Sequence, residues 1–213
     1  MKTSQLDVIT YGEAMTMFVA NETGELDQAM QFTKRIAGAE LNVSIGLSRL
    51  GMNVGWVSRV GDDSFGHFTL ATLEQEGIDH QCVTVDQRFP TGFQLKSKAE
   101  NGTDPKVEYF RKGSAASHLS VHDFDRTYFS QARHLHLSGV AAALSTDSLE
   151  LANHAAKEMR AMGKTISFDP NLRPVLWPSQ QVMCEKLNAL AFQADWVLPG
   201  LKEGQILTGK QTP

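Results

Sequence analysis

Three small groups of residues in this chain carry hydrogen-bonding amides, a phenol and guanidinium groups, which are side chains that bind polar small molecules. The groups are Gly38 with Asn42, Tyr109 with Arg111, and Asp169 with Asn171 and Arg173. An amide offers both donors and an acceptor, and a guanidinium offers five N–H donors. The third group directly follows an apolar run, and polar residues just beyond a buried strand are typical of binding sites in α/β proteins.

Each group also has a purely structural interpretation. Asn42 could satisfy nearby backbone groups at the start of a helix, and Tyr109 with Arg111 could form the solvated face of a hairpin. The segment from Asp169 to Arg173 could be a loop held by Asx-type turns. The residues alone leave these alternatives open.

The element that must position Asn42 is an apolar helix that follows the turn Ala37-Gly38-Ala39. Its apolar residues lie on more than one helical face, so we expect a helix that is buried on most sides. The Asn42 amide, near the first turn, would then be buried as well and would need hydrogen-bond partners. Gly51 is expected to end the helix, as a glycine at this position usually does.

The rest of the chain alternates short apolar runs with helical segments, which predicts βαβ units and a parallel sheet. Strands are predicted at 6–11, 53–60, 80–85, 133–139, 164–169 and 195–198. Helices are predicted at 64–76, 145–163, 179–193 and 202–207, with Asp62 or Asp63 and Ser145 as N-caps. The sequence therefore predicts an α/β domain whose ligands bind beyond the carboxyl ends of its strands.

A second kind of β-structure is expected at 91–98 and 105–111. Apolar and polar residues alternate in both segments, on either side of the pair Asn101-Gly102. This pattern is typical of a half-exposed antiparallel hairpin rather than a core strand. Tyr109 and Arg111 would lie on one face of that hairpin.

The composition of the chain excludes several classes of protein. The 213 residues are 41% hydrophobic and 21% charged with a net charge of -4, so we expect a globular domain that does not bind nucleic acid. No apolar run is long enough for a membrane span or signal peptide. The two cysteines, Cys82 and Cys184, match no redox or metal spacing, which favours the cytoplasm.

The seven histidines do not predict a metal site. His134 and His136 flank Leu135 and therefore point to one face of a strand, while His118 and His122 lie in a polar loop. Neither pair is accompanied by a second ligand pair at a recognised spacing. We expect these residues to lie at the surface or at the rim of an active site.

The segment AGAELNVSIGLSRLG, followed by VGDDSFG, resembles the N-terminal signature of the ribokinase-like, phosphofructokinase-B-type carbohydrate kinases. In that family a Gly-Gly turn and the following Asn bind sugar hydroxyls. Here Ala37 replaces the first Gly, which would narrow the turn. Glu40 stands where many members have Pro or Ala, and this is similar to the branch that phosphorylates 2-keto-3-deoxygluconate.

The resemblance implies a three-layer α/β/α fold with a central, mostly parallel sheet and a small β-sheet lid. The lid segments would be approximately 13–36 and 91–112, inserted in one truncated domain that spans residues 1–213. The C-terminal nucleotide-binding part of the family would be absent, because the chain reaches LTGKQTP without the Gly-Ala-Gly-Asp turn found further along in members.

The same resemblance assigns substrate-binding roles to eight residues. They are Gly38, Asn42, Gln94, Tyr109, Arg111, Asp169, Asn171 and Arg173. The two arginines would take the carboxylate and neighbouring oxygens of a sugar acid, since a guanidinium fork matches a carboxylate. Met17 stands where kinases of neutral sugars have an Asp, which also favours an acid. Gln94 is a departure, because the sugar-acid branch often has Tyr at this position.

The cofactors implied by the resemblance are ATP and Mg²⁺. Glu203 would be the cofactor-binding residue, since it keeps the Glu of a family Asn-x-x-Glu motif in which Gly200 replaces the Asn. Alternatively, Glu203 is a first-turn helix residue favoured by the helix dipole. No catalytic residue is expected in this chain, because the Asp base and the anion hole belong to the part that would be missing.

The expected reaction is therefore the ATP-dependent phosphorylation of a sugar-acid hydroxyl, with 2-keto-3-deoxygluconate and its 6-phosphate as the first candidates. A kinase for a neutral sugar such as fructose or ribose is one alternative. A non-catalytic sugar-acid-binding fragment is another, because the chain alone would lack the catalytic Asp. Relatives often dimerise through the lid sheet, so a homodimer of this kind is also expected.

Overall fold

The computed structural model describes residues 5–99 and 102–211, which contain ten β-strands and seven α-helices. The strands are β1 (Leu6–Tyr11), β2 (Met15–Thr23), β3 (Phe32–Ala37), β4 (Val54–Gly61), β5 (Val83–Asp86), β6 (Phe93–Lys98), β7 (Val107–Phe110), β8 (Ala132–Ser138), β9 (Thr165–Asp169) and β10 (Trp196–Val197). The helices are α1 (Ala39–Arg49), α2 (Ser64–Gln75), α3 (Arg126–Ser130), α4 (Gly139–Ala142), α5 (Thr146–Ala161), α6 (Gln180–Ala191) and α7 (Leu201–Thr208).

Six of the strands form a central sheet in the order β10-β9-β8-β1-β4-β5, and every neighbouring pair is parallel. Each strand is followed along the chain by at least one helix or by the small sheet, as a parallel sheet requires. The predicted α/β class with a central parallel sheet is confirmed.

The other four strands form a small mixed sheet in the order β3-β2-β6-β7. Strands β6 and β7 pair antiparallel, so the predicted hairpin is confirmed. The turn predicted at Asn101-Gly102 includes Asn101, which lies outside the described residues. Strand β2 lies parallel to β6 and antiparallel to β3, and both β2 and β3 come from the stretch between β1 and α1.

Two helix N-caps predicted from the sequence are present. Asp63 Oδ1 accepts hydrogen bonds from the backbone N–H groups of Phe65 and Gly66 at the start of α2. Ser145 Oγ accepts from the N–H of Ser148 at the start of α5. These side chains satisfy backbone donors that have no partner within the helix, which explains why both helices begin where they do.

Side-chain alternation along the strands divides the helices between the two faces of the central sheet. Leu135 and Leu137 of β8 point into the larger core, which α3, α5 and α6 complete. Leu41 of α1 and Trp56 of β4 belong to a smaller core, to which α2 also contributes. The three-layer arrangement expected from the resemblance is confirmed.

Helix α1 is less buried than its sequence predicts. Leu41 is fully buried, but Asn42 is exposed and Leu50 is 79% exposed. Val43 and Leu47 line a groove at the surface instead of a closed core. The expectation of a helix buried on most sides, with a buried Asn42 amide, is therefore wrong, because one face of α1 packs on the sheet and the others do not.

That groove lies along the face of the central sheet beside α1 and has a volume of about 620 Å³. Its lining residues, together called the open sheet groove below, are Asp7, Val8, Val43, Leu47, Met52, Arg133, His134, His136, Thr165, Ser167, Trp196 and Leu198. The described helices leave large apolar side chains exposed here, since Trp196 is 54% and Leu198 is 57% exposed.

His134 and His136 both face the open sheet groove. His134 Nε2 lies 2.7 Å and His136 Nδ1 lies 2.9 Å from Ser167 Oγ on β9, so the prediction that the two rings share one strand face is confirmed. A surface or rim role is wrong for His136, which is 6% exposed. Burial lowers the pKa of its imidazole to about 4, so the ring is neutral near pH 7.

Aromatic packing attaches the small sheet to α2. The ring centroid of Phe65 on α2 lies 5.6 Å from that of Phe18 on β2 and 5.5 Å from that of Phe93 on β6. Phe110 of β7 stacks on Phe93 at 4.6 Å. These contacts fix the chain that leaves β7 relative to the central sheet. No helix in the described part of the chain is long and apolar enough to cross a bilayer.

Candidate functional site

A cleft of about 780 Å³ lies where the end of β7 faces the loops that follow β8 and β9. It is lined by Tyr109, by residues 111–113, 117–118 and 143–147, and by Arg173, Val175 and Leu176. Three segments that are distant in sequence therefore meet in one cleft. It lies at the carboxyl ends of parallel strands, where open α/β sheets bind their ligands.

The cleft is cationic. Arg111, Lys112 and Arg173 all contribute to its lining, and Asp147 is the acidic residue among the lining residues described. Two guanidinium groups in one cleft favour a ligand with a carboxylate or phosphate over a neutral one. Tyr109 adds an aromatic wall, and the Arg111 guanidinium carbon lies 5.9 Å from the centre of its ring.

Arg111 is held from behind by a buried carboxylate. Its Nη2 forms an ion pair with Glu13 Oε2, and Ser114 Oγ donates a 2.5 Å hydrogen bond to Glu13 Oε1. The Arg111 side chain is 12% exposed and the Glu13 side chain is 1% exposed. Burial raises the pKa of the Glu13 carboxyl, and the charge of Arg111 and the hydrogen bond from Ser114 oppose that effect.

Arg173 is presented by the loop that follows β9. Asp169 Oδ1 accepts a 3.1 Å hydrogen bond from the N–H of Asn171, which has a φ of 36°. This left-handed conformation is one that Asn tolerates better than most residues. The N–H of Leu172 donates to Glu203 Oε1 at 2.8 Å, and Arg173 Nη1 donates to the Leu172 carbonyl oxygen at 2.8 Å.

Close packing also fixes this loop against the start of α4. Gly139 begins that helix directly after β8, and a Cβ atom placed on it would lie 2.0 Å from the carbonyl oxygen of Pro170. A separation so far below van der Waals contact leaves no room for any other residue. The loop that carries Arg173 therefore rests on the backbone of residue 139.

Glu203 has both carboxylate oxygens engaged with backbone donors. Oε2 accepts a 2.9 Å hydrogen bond from the N–H of Gly200, at the start of α7, while Oε1 holds the N–H of Leu172. The arrangement matches the alternative in which Glu203 serves the first turn of its helix. The described residues contain no group of three or more His, Cys, Asp or Glu side chains that could hold a metal ion.

Gly38 packs against the backbone of Glu13 and is not among the described residues that line the cleft. It has a φ of 153°, and a Cβ atom placed on it would lie 2.6 Å from the Glu13 carbonyl oxygen, so this turn requires glycine. Asn42 begins the α1 hydrogen-bond ladder by donating its N–H to the Gly38 carbonyl oxygen at 2.9 Å. Its exposed side chain is not among the described residues that line the cleft.

Gln94 is buried in the middle of the small sheet. It pairs directly with Tyr109 across β6 and β7, so both side chains lie on the same face of that sheet. It is 7% exposed and is not one of the described lining residues. Of the eight residues predicted to bind substrate, the structure brings Tyr109, Arg111 and Arg173 into one cleft. Asp169 and Asn171 support the loop of the last of these.

Sequence reasoning missed several residues of this site. Glu13 and Ser114 hold Arg111, Lys112 follows it in the cleft wall, and residues 143–147 form the opposite wall. One signal was available for that wall, because Ser145 was predicted as the N-cap of a helix that follows a central strand. The contact between Ser114 and Glu13 joins residues 101 positions apart, and no short-range pattern encodes it.

Glu40 is a second buried carboxylate close to this site. It is 1% exposed, and its Oε1 accepts a 3.2 Å hydrogen bond from the N–H of Ala141 on α4. Burial raises the pKa of Glu40 to about 7, and hydrogen bonds and the charge of Arg111 oppose the rise. Asp169 is half-buried, and burial likewise raises the pKa of its carboxyl.

Comparison with known families accounts for this architecture. The model of the pfkB family carbohydrate kinases matches residues 5–213. The chain belongs to this family. A curated relative, the 2-dehydro-3-deoxygluconokinase of Bacillus subtilis (strain 168), is 50% identical over 210 residues. That alignment covers 98% of this chain and 64% of the relative, so the chain spans less than two thirds of the relative's length.

Solved structures of a PfkB protein and of a sugar kinase share the fold. The crystal structure of a PfkB protein from Polaromonas sp. JS666 has a TM-score of 0.95 and 53% identity, covering 98% of this chain and 70% of that one. An uncharacterized sugar kinase from Pyrococcus horikoshii, solved in complex with ATP, has a TM-score of 0.87 and 26% identity. The match covers 96% of this chain and 67% of the Pyrococcus horikoshii chain.

Proposed function

We propose that this chain belongs to a kinase that transfers the γ-phosphate of ATP to the 6-hydroxyl of 2-dehydro-3-deoxygluconate, also called 2-keto-3-deoxygluconate. The observation that carries the proposal is that Arg111 and Arg173 line one cleft although they come from different sheets. The 50% identity to a 2-dehydro-3-deoxygluconokinase supports the same substrate.

The residues of the cleft suit a sugar acid. The Arg111 and Arg173 guanidinium groups would hold the carboxylate and neighbouring oxygens through charge-assisted hydrogen bonds. Tyr109 would cover one side of the sugar chain. Roles for Gly38 and Asn42 in binding hydroxyls remain part of the proposal, as do those of the supporting residues Gln94, Asp169 and Asn171.

ATP and Mg²⁺ belong to the proposal for the whole kinase. The ATP complex of the Pyrococcus horikoshii relative supports the use of ATP. The described residues contain no group of three or more His, Cys, Asp or Glu side chains that could hold a metal ion, and Glu203 already binds two backbone N–H groups. We therefore assign Mg²⁺ no step through them. We assign neither the catalytic base nor the anion hole for the transferred phosphoryl group to the described residues.

The work of such a kinase is mostly positioning and charge stabilisation, because phosphoryl transfer needs little covalent chemistry from the protein. The cleft described here would supply the acceptor half of that work by holding the acid and presenting its primary hydroxyl. We further propose that the protein acts in the cytosol, with Cys82 and Cys184 as free thiols, and that two copies associate through the small sheet.

A binding experiment on the 213-residue chain tests the substrate proposal. Calorimetric titration with 2-dehydro-3-deoxygluconate should show binding, and Arg173→Ala should weaken it by about ten- to a hundredfold, because a charge-assisted contact is lost. Fructose and ribose should bind more weakly than the acid. Arg126→Ala is the matched control, since this exposed arginine on α3 is not among the cleft lining residues.

Two results would contradict the proposal. One is a neutral sugar that binds better than every sugar acid tested, which would favour a fructokinase- or ribokinase-like specificity. The other is an Arg173→Ala variant that binds the acid as tightly as the wild-type chain, which would show that this guanidinium does not hold the carboxylate. Phosphorylated acid after incubation of this chain with ATP and Mg²⁺ would leave the proposed reaction in place and would show instead that the base lies within these residues.

A further inference from the structure

Glu13 lies at the junction between the two sheets, and the proposed substrate contacts do not include it. It follows β1 and Gly12 and precedes β2, so it occupies the connection through which the chain leaves the central sheet. The residue is 3% exposed. A carboxylate buried this deeply is retained only where a cation or strong hydrogen-bond donors stabilise it.

Its two carboxylate oxygens contact both ends of the segment 111–114, which forms one wall of the cleft. Oε2 forms the ion pair with Arg111 Nη2, and Oε1 accepts the hydrogen bond from Ser114 Oγ at 2.5 Å. Lys112 and Gly113, which lie between these two residues, both line the cleft. A single side chain therefore anchors the segment that carries one of the two arginines.

The surroundings of Glu13 leave it little freedom to move. A Cβ atom on Gly92 would lie 2.8 Å from Glu13 Oε1 and 3.3 Å from Arg111 Cβ. A Cβ atom on Gly38 would lie 2.6 Å from the Glu13 carbonyl oxygen. Two glycines thus make room for the pair, because a side chain at Gly92 would press on the carboxylate and one at Gly38 would press on the Glu13 backbone.

Arg111 retains hydrogen-bonding capacity after pairing with Glu13. Its Nε and Nη2 are both buried, and neither has a hydrogen-bond partner of normal geometry among the described residues, although Nη2 forms the ion pair with Glu13 Oε2. The residue as a whole lines the cleft. A guanidinium has five N–H donors and a carboxylate takes at most two of them. Because Nε and Nη2 are buried, Nη1 is the guanidinium nitrogen left to meet a ligand, in an orientation that the ion pair fixes.

We propose that Glu13 is a positioning residue for sugar-acid recognition, which fixes the Arg111 guanidinium so that its free donors meet the carboxylate of the ligand. This inference rests on the proposed function. It predicts the opposite change in affinity for the acid from the one that charge attraction alone would give. Removing the Glu13 charge makes the cleft more positive, yet acid binding becomes weaker, because Arg111 loses its orientation and must be ordered when the ligand binds.

The first test needs no ligand. In nitrogen-15 spectra of the 213-residue chain, the Arg111 Nε–H signal should be sharp and slow to exchange at neutral pH. Glu13→Gln should broaden it or speed its exchange, whereas Glu108→Gln, at an exposed position on β7, should not. Should Glu13→Gln fail to fold, Ser114→Ala removes one support of the same carboxylate and should give a smaller change in the same direction.

The second test measures affinity for 2-dehydro-3-deoxygluconate in a double-mutant cycle. Glu13→Gln should raise the Kd about tenfold in the wild-type background. It should change the Kd by less than about twofold when Arg111→Ala is already present, because a positioning residue acts only through the group that it positions. A general structural defect would weaken binding in both backgrounds.

The outcomes separate this inference from the proposed function. An Arg111 signal that is unchanged by Glu13→Gln overturns the positioning role, whatever binds in the cleft. Tighter acid binding by Glu13→Gln also overturns it. If the wild-type chain binds no sugar acid while its Arg111 signal depends on Glu13, the proposed function fails together with the acid-binding half of the inference, and the structural pairing stands.

Discussion

Two buried carboxylates, Glu13 and Glu40, share one nearby guanidinium beneath the cleft. The charge of Arg111 acts on both, since it lowers the pKa of each carboxyl against the effect of burial. Glu13 has the ion pair itself, whereas Glu40 depends on hydrogen bonds such as the one from the N–H of Ala141. With one cation for two acids, the less well compensated carboxyl is the one that keeps its proton.

Glu40 should therefore make stability depend on pH. The ordinary pKa of 4.5 applies to the unfolded chain, and the folded value is about 7. Between these values the folded state holds a proton that the unfolded state lacks, so stability falls as pH rises and levels off above the folded pKa. The loss is on the order of 3 kcal/mol, since one unit is worth about 1.4 kcal/mol.

The variant Glu40→Gln tests this at residue scale. Glutamine keeps an acceptor for the N–H of Ala141 and cannot ionise, so urea unfolding at pH 8 should show a more stable protein, with little difference at pH 4.5. The exposed Glu150→Gln on α5 serves as control and should change stability at neither pH. A wild-type protein whose stability does not fall between pH 4.5 and 7 would contradict the assignment.

At the scale of elements, N-terminal capping decides how α2 meets the small sheet. Asp63 Oδ1 accepts from the N–H groups of Phe65 and Gly66, while Oδ2 accepts a 2.7 Å hydrogen bond from the N–H of Thr91, just before β6. One carboxylate thus caps the start of α2 and also fixes the chain where it enters β6. The aromatic contacts of Phe65 extend the same attachment.

We expect Asp63→Ala to cost about 2–3 kcal/mol of unfolding free energy, because three backbone donors lose their acceptor. Ser179→Ala is the comparison, since Ser179 caps α6 through the N–H of Val182 alone and should cost about 1 kcal/mol. Chemical denaturation of the two variants measures the difference. Equal losses would show that the contact with Thr91 contributes nothing to stability.

Much of the fold could be predicted because its signals are local. Strand β1, the Asp63 and Ser145 caps and the β6–β7 hairpin follow from patterns within a few residues. The burial of α1 could not be predicted, because Val43 and Leu47 are apolar residues whose partners depend on the whole sheet. The site divides in the same way: Arg173 follows its strand in sequence, whereas the pairing of Arg111 with Glu13 depends on the tertiary fold.

For the whole molecule, the open sheet groove is an uncovered apolar surface on one face of the central sheet. Trp196 and Leu198 lie at the β10 edge of the central sheet, where β10 has a described partner on one side, β9. Exposed apolar groups beside an unpaired strand edge favour association with other chains.

The 213-residue chain should therefore self-associate in solution, and light scattering should report a mass above that of one chain that grows with concentration. Leu198→Lys should reduce the association, because it places a charge in the open sheet groove. Val121→Lys is the control and should leave the mass unchanged, because Val121 is an exposed apolar residue that belongs to neither the open sheet groove nor the small sheet. A stable monomer at all concentrations would contradict this expectation.

The contact between Gly139 and Pro170 has a consequence for how this gene can diverge. Val175 is 91% exposed, so a substitution there alters only the surface of the cleft. Related proteins can accept such a substitution while selection changes which ligand the cleft binds. Any replacement of Gly139 would push the Pro170 carbonyl outwards and shift Arg173 with it. Substitutions are therefore tolerated on the exposed side of this loop, as at Val175, but not on the side that packs on Gly139. Position 139 should stay glycine for as long as selection maintains the function of Arg173.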